Sequence, residues 1–441
     1  MLPSFEALDR PGGFARVELL RPLRSPEFRR LWAGQTVSLV GDGVFLIALA
    51  WAAYSVWNAP AALAVIGIAM TVPTIAFLLV GGAISDRVDR RVVMVGSDVV
   101  RALVVGCITA LSLAHALSFP ELAGLTAVYG AATAFFTPAF ESSVPCIVPE
   151  RDLAQANSLD QFVRPAALRL VGPALGGWLV SAFGADLAFA LDAATFVASA
   201  VAISSLRPIP SGGAAPASTR AAIVDGLRFV RTHVWLWGTL LSAAIAYLAF
   251  LGPSEALLPY VVKNELHASA SALGFVFAAG GVGAVGAAVV MAQIGQPKRD
   301  ITFMYAVWTA ATLAVAGYGL ARSTAQLMLA CLAFNALEVA GTVVWMTIKQ
   351  RNVPRELLGR VSSLDWLISI GLLPASFALT GPVSSAIGVR TTLIGAGLIG
   401  GLVTLAALFI PGVRAIEGLQ QEQDAAFPAR ALGQAEISMT P

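Results

Sequence analysis

Residues 61–84 read AALAVIGIAMTVPTIAFLLVGGAI, residues 85–91 read SDRVDRR, and residues 92–114 read VVMVGSDVVRALVVGCITALSLA. The first run carries no charge, and the second carries only Asp98 and Arg101. A helix of roughly 20 apolar residues crosses a bilayer core about 30 Å thick. The stretch therefore reads as two membrane-spanning helices joined by a short, strongly basic loop. The runs are continuous rather than alternating, which excludes a transmembrane β-barrel.

Outward from this pair, the same pattern recurs at 31–56, 121–143, 159–182, 186–206, 234–261, 269–294, 301–321, 326–348, 362–386 and 391–412, giving twelve expected spans. The whole chain of 441 residues is 57% hydrophobic and 12% charged, with a mean hydropathy of +0.78. A soluble chain carries about a quarter charged residues. The expected class is an all-α membrane protein. Net charge is only +2, so nucleic acid is not an expected partner. The three cysteines lie in or at the ends of apolar runs and suggest neither a disulfide framework nor a metal site. The first 30 residues hold six arginines and no apolar core of a cleavable signal.

Charge sets the expected orientation. With the amino terminus in the cytoplasm, 25 of the 28 Lys and Arg fall on that side, and only Lys263, Arg322 and Arg390 fall opposite. The positive-inside rule then places both termini in the cytoplasm. Expected boundaries are a cytoplasmic segment 1–30, a six-helix bundle 31–206, a linker 207–233, a second bundle 234–412 and a cytoplasmic tail 413–441. The linker opens with the Pro- and Gly-rich RPIPSGGAAPAST and continues as an amphipathic stretch suited to the membrane surface.

The halves echo each other. IVPERDLAQANSLD (147–160) and NVPRELLGRVSSLD (352–365) follow spans four and ten at an offset of 205 residues. Val148, Pro149, Leu153, Ser158, Leu159 and Asp160 match Val353, Pro354, Leu358, Ser363, Leu364 and Asp365. Each echo precedes a span with a Gly-Pro pair, Gly172-Pro173 and Gly381-Pro382. Two pseudo-symmetric bundles with a site between them is a transporter architecture.

The loop after span two contains Gly82, Asp86, Arg87, Arg90 and Arg91 in the order G-x-x-x-D-R-x-x-R-R. It resembles the signature of the major facilitator superfamily, with Asp89 standing where that signature has a glycine; Asp tolerates turn geometry. The reading is a cytoplasmic latch, in which Asp86 sits near a helix amino terminus and the arginines pair with carboxylates. In span five, Gly172, Pro173, Gly176 and Gly177 resemble the GPxxGG core of the superfamily's antiporter motif. Small residues there allow close helix approach, and Pro173 removes a hydrogen bond and so creates a bend. The opening FRRLWAGQTVSLVGDGVFLIALAW is similar to the siderophore and macrolide exporter branch. Gly281, Gly283 and Gly286 satisfy GxGxxG but lie mid-span, so they read as helix packing rather than a nucleotide site.

Charges inside a bilayer are expensive and need a reason. Asp42, Arg169 and Glu338 lie near mid-depth of spans one, five and ten. By the resemblance, spans one, four, seven and ten line a central cavity, which Asp42 and Glu338 are expected to face. Gly41 and Gly43 are expected to let the helix flex around Asp42. A carboxylate in a weakly hydrated cavity is able to gain and lose a proton near neutral pH. Arg169 would supply a counter-charge or hold an anionic group of the substrate. Asp98, Arg101 and Glu141 read as structural pairs, while Asp192 and Glu255 lie toward the opposite ends of their spans. Phe45, Trp51, Trp237, Tyr247, Phe250, Phe334 and Trp345 form either an adaptable wall or interfacial anchors.

The expectation is a secondary transporter of the bacterial inner membrane. It would export an amphipathic small molecule, such as a drug or siderophore-like compound, by alternating access in exchange for protons. No cofactor is expected, since the proton gradient supplies the energy; membrane lipids and the substrate are the expected partners, and the chain is expected to act as a monomer. Two alternatives stay open, a proton-coupled uptake symporter of the same fold and a non-transporting receptor or assembly partner.

Overall fold

The computed structural model describes residues 18–85, 87–149, 152–209, 227–354, 357–358, 361–362, 364–365, 367 and 371–417. Asp86, most of the linker and the tail after residue 417 lie outside the described residues, as does Ser363 of the second echo. A short 3-10 helix, Glu18–Arg24, leads into α1 (Pro26–Val56), α2 (Ala62–Ser85), α3 (Arg90–Leu113) and α4 (Phe119–Ile147). Span five is divided into α5 (Leu153–Pro165), a π-helical turn (Ala166–Val171) and α6 (Gly172–Phe183), and α7 (Ala185–Ser204) ends the first half. The second half holds α8 (Val234–Tyr260) with a π turn (Val261–Glu265), then α9 (Ala270–Ile294), α10 (Asp300–Leu320), α11 (Thr324–Asn352), α12 (Leu373–Ile387) and α13 (Val389–Ala407). Among the described residues, ten helical segments are long and apolar enough to cross a membrane, and Ala62–Leu78 is a shorter apolar one. Apolar side chains also cover the outside: Leu103 and Leu402 are each 68% exposed. Water does not solvate such a surface favourably; lipid does.

Local chemistry explains where the helices start. Ser25 caps α1 by accepting from Phe28 N, with Pro26 at the first turn where its missing N–H costs nothing. Ser269 and Ser323 cap α9 and α11 in the same way. Ser118 and Glu121 form a reciprocal capping box at α4. The α6–α7 and α12–α13 turns repeat one device, Gly184 at φ +89° and Gly388 at φ +86°. Both lie in the left-handed region open to glycine, and they occupy the same place in each half.

Glycine also sets the helix spacing. On α1, a Cβ at Gly43 would lie 2.8 Å from Gly172 Cα, and one at Gly34 would lie 3.2 Å from Ala202 Cβ. Gly176 meets Val44 Cα at 2.9 Å on the same helix, while Gly177 meets Gly274 Cα at 2.9 Å on α9, in the other half. The small residues of span five thus let α6 pack between α1 and α9. Gly281 approaches the Arg169 carbonyl, with 2.6 Å from its notional Cβ, and Gly283 approaches the Leu332 carbonyl, which is the packing role expected of the GxGxxG stretch; Gly286 meets open space and has no such role. α12 packs on α2 as span five packs on span eight, so the interface has a two-fold pseudo-symmetry. Gly381 there faces Ala61, and Gly67 faces the Phe377 ring.

Among the described residues, the hydrogen bonds between the two bundles lie at one end and near mid-depth. Tyr54 donates to the Ala256 carbonyl, and its ring sits edge-on to Tyr260 at 5.4 Å. Lys263 Nζ donates to Trp51 O at 3.0 Å and to Ser55 Oγ at 2.6 Å, and lies 4.7 Å over the Trp51 ring. Ser271 N donates to Ser181 Oγ at 2.8 Å. All these contacts cluster toward the end that carries the 57–61 and 184 turns. Toward the end that carries the 85–91 loop, no hydrogen bond or ion pair among the described residues joins the bundles.

Candidate functional site

The site begins at the base of this contact zone. Pro173 has no N–H to offer the Arg169 carbonyl, and a π turn fills the helix just before it. The bend expected at Pro173 is therefore spread over Ala166–Val171. This turn presents Arg169 on an exposed surface, where Nη1 reaches Asn335 Oδ1 of α11 at 3.4 Å across the interface. Glu255 of α8 is exposed nearby, within the field of Arg169. Phe250 and Phe334 pack edge to face at 5.9 Å, with Tyr247 5.8 Å from Phe250. Tyr247 and Phe334 are half-buried, whereas Phe250 is buried in the core of the second bundle.

Asp42, Arg169 and Glu338 are not brought into mutual contact. Glu338 Oε1 accepts from Thr342 on its own helix at 3.0 Å. Asp42 is half-buried, and its Oδ1 accepts from the Tyr129 hydroxyl of α4 at 2.6 Å. Tyr129 is fixed from two sides, stacked on Phe45 at 4.7 Å and edge-on to Phe196 at 6.0 Å. Its neighbours make this a site of the first bundle. Asp98 and Arg101 of α3 form a buried ion pair, and the guanidinium lies 4.6 Å from the Phe136 ring and 4.3 Å from the Phe196 ring. The field of Arg101 reaches Asp42, Tyr129 and Asp192. Asp192, on α7, is fully buried and adjoins α1 at Gly41.

Three expectations change here. Gly41 and Gly43 serve close packing rather than flexing, because each faces a neighbouring helix with no room for a side chain. Phe45, Phe250 and Trp345 are buried inside their own bundles, Trp345 donating to Asp365 Oδ2 at 3.0 Å, so none of the three belongs to a binding wall. Asp192, read from the sequence as lying toward the end of its span, packs against Gly41, the residue before Asp42, and lies within the field of Asp42. A signal for this was present: Gln35, Ser38 and Asp42, and likewise Asp192, Thr195 and Ser199, are polar stripes at i, i+3, i+7 on one helix face.

The basic loop also differs in detail. Asp89 is the N-cap of α3 at φ −50°, so the position does not need a glycine. Its Oδ1 accepts from Arg91 N at 2.9 Å and from Ile209 N at 3.1 Å. Arg91 Nη1 donates to Leu206 O at 2.9 Å, and Arg90 Nη1 donates to Cys146 Sγ at 3.0 Å. Arg90 thus engages a thiol and Arg91 carbonyls plus its own loop's Asp89, rather than carboxylates of other helices, because the end of α7 supplies unpaired backbone acceptors there. Arg87 is exposed, and Asp86 lies outside the described residues. A side chain at Gly82 would meet open space, whereas at Gly81 it would lie 2.5 Å from the Ala134 carbonyl. The steric demand thus falls on Gly81.

Two pseudo-symmetric helical bundles, packed together through small residues and coated with apolar side chains, have the architecture of a multi-pass membrane transporter. The chain belongs to the transmembrane secretion effector family of the major facilitator superfamily, whose profile matches residues 18–437. It is 27% identical over 414 residues to the multidrug efflux pump Tap of Mycolicibacterium fortuitum, covering 89% of this chain and 98% of that one. It is 24% identical over 405 residues to macrolide efflux protein A of Streptococcus pyogenes, covering 89% and 97%. Among solved structures, a bacterial homologue of the iron transporter ferroportin in an inward-facing state superposes with a TM-score of 0.65 at 16% identity, covering 87% of this chain and 99% of that one. The nucleoside transporter NupG superposes with a TM-score of 0.64 at 11% identity, covering 87% and 100%. Those two likenesses concern the fold.

Proposed function

We propose that the protein exports amphipathic small molecules across the bacterial inner membrane by alternating access, driven by proton entry. The observation that carries this reading is the one-ended closure. Hydrogen bonds between the bundles run from Tyr54 and Lys263 to Arg169 and Asn335, and none among the described residues lies beyond. An interface held by polar contacts at one end suits one half of an alternating-access cycle. With the basic loops in the cytoplasm, the other end faces inward, ready to load from that side. The relatives named as efflux pumps support the outward direction. The half-buried Tyr247 and Phe334, backed by Phe250 and near Glu255 and Arg169, suit a molecule with an apolar body and a polar or charged group.

The test is accumulation of a macrolide, and separately of ethidium, in a host lacking its own pumps, with and without a protonophore. Export lowers accumulation, and the protonophore restores it. Raised accumulation would establish uptake instead. Unchanged accumulation of both probes at normal membrane abundance would count for a non-transporting role.

A further inference from the structure

We infer that Asp192 shares one proton with Asp42, and that the proton reaches this pair along a polar seam between α1 and α7, separate from the gap that takes the substrate. The inference rests on the transport reading above and adds a group and a route to it. Asp192 is 0% exposed, and its Oδ2 has no hydrogen-bond partner. Its other oxygen lies 3.4 Å from Thr195 Oγ1, but that hydroxyl already donates to the Asp192 backbone carbonyl at 2.7 Å. A fully buried carboxylate with no firm donor is not held as a bare anion by its surroundings. Gly41, the residue before Asp42, lets it approach α1: a Cβ at 41 would lie 2.5 Å from Asp192 Oδ1, and the charge of Asp42 acts on it.

Arg101 from α3 acts on both carboxylates, Tyr129 from α4 interacts with both, Arg164 from α5 acts on Asp42, and Asp42 in turn acts on Asp98 of α3. Arg101 is already paired with Asp98, so the buried cluster holds an excess of carboxylates over guanidinium groups. Adjoining carboxylates in that position share a proton instead of both ionising. Transfer breaks one O–H bond at Asp192 as another forms at Asp42, and the charge of the pair is unchanged. Tyr129 holds the Asp42 end by its hydrogen bond.

The seam supplies the route. Gly34, Ser38 and Gly41 share the α1 face turned to α7. Ser38 Oγ, 1% exposed, and Gln35 Oε1, 6% exposed, are both without partners. Asp192 Oδ2, Ser199 Oγ, Ser38 Oγ and Gln35 Oε1 are buried polar atoms without a partner among the described residues, and Ser38 and Gln35 lie on α1 between Asp42 and the helix end on the side of the 85–91 loop. Groups of this kind are satisfied by water, and a file of water conducts protons.

The experiment is infrared difference spectroscopy of the purified full-length protein in liposomes, stepping from mildly acidic to alkaline pH and reading the carbonyl band of a protonated carboxyl. The band should be absent in Asp42→Asn and in Asp192→Asn, remain in Glu338→Gln and Glu255→Gln, and be lost more slowly after the step in Ser38→Ala. A band that survives Asp192→Asn, that is lost only with Glu338 or Glu255, or that sodium displaces at fixed pH would overturn the inference. If Asp192→Asn does not fold, Tyr129→Phe decides: an unshifted band contradicts the pair. The readout needs no substrate, so its failure is separable from failure of export in the accumulation assay.

Discussion

The Tyr129 hydroxyl donates to Asp42 Oδ1 at 2.6 Å, joining α4 to α1 in the interior of the first bundle. Tyr129→Phe keeps the stack on Phe45 and removes only this donor. Leaving Asp42 without it should cost about 1 to 3 kcal/mol. Thermal unfolding in detergent should record that loss at normal expression, and drug efflux should lose its pH response. Wild-type stability together with a wild-type pH profile would show that the bond has no role.

Span two separates packing from signature. Gly81→Ala should destabilise the protein by about 1 to 3 kcal/mol, since the new methyl runs into the Ala134 backbone. Gly82→Ala meets open space and should leave thermal stability unchanged. If Gly82→Ala retains stability but loses efflux, its glycine is needed in the opposite conformation. Equal melting curves for the two variants would contradict the packing described here.

Restoring the superfamily's glycine at 89 should weaken the loop. Asp89→Gly loses a few tenths of a kcal/mol of capping and about 1 kcal/mol from the Ile209 hydrogen bond. Faster amide hydrogen exchange at 206–209 and in the first turn of α3 is the expected signature. Slower exchange would mean that the aspartate is the poorer residue there.

Much of the fold was legible because a membrane leaves few choices. Apolar length gave the spans, arginine placement gave their loops, and the Gly-Pro pairs marked the helices that pack across the interface. The site was less legible. Asp42 stood out as a mid-span charge, but its partners come from α3, α4 and α7, and no local pattern fixes which faces of four helices converge. The π turn was hidden for a related reason. Pro173 announces a broken hydrogen bond but not whether the helix kinks or widens. Asp192 was legible only through its stripe with Thr195 and Ser199, a pattern that buried serines and threonines also make when they bond their own backbone, as Thr126 and Ser143 do.

Lys263 holds the closed end. Lys263→Met keeps an apolar stem and removes both hydrogen bonds and the contact over Trp51. A loss of about 1 kcal/mol, close to a fivefold change in population, should favour opening at that end. Faster modification of a cysteine placed at Ser55 should report it, and an unchanged rate would mean that the Tyr54 and α6–α9 contacts suffice alone.

The central claim is that the two ends open in alternation. Spin labels at Asn58 and His267 report the closed end, and labels at Arg87 and Arg299 report the open one; all four residues are exposed. Pulsed distance measurements in liposomes, on protein whose three native cysteines are replaced by serine, should show the first distance lengthening and the second shortening when a macrolide is added. Distances that stay fixed, or that lengthen together, would contradict the account.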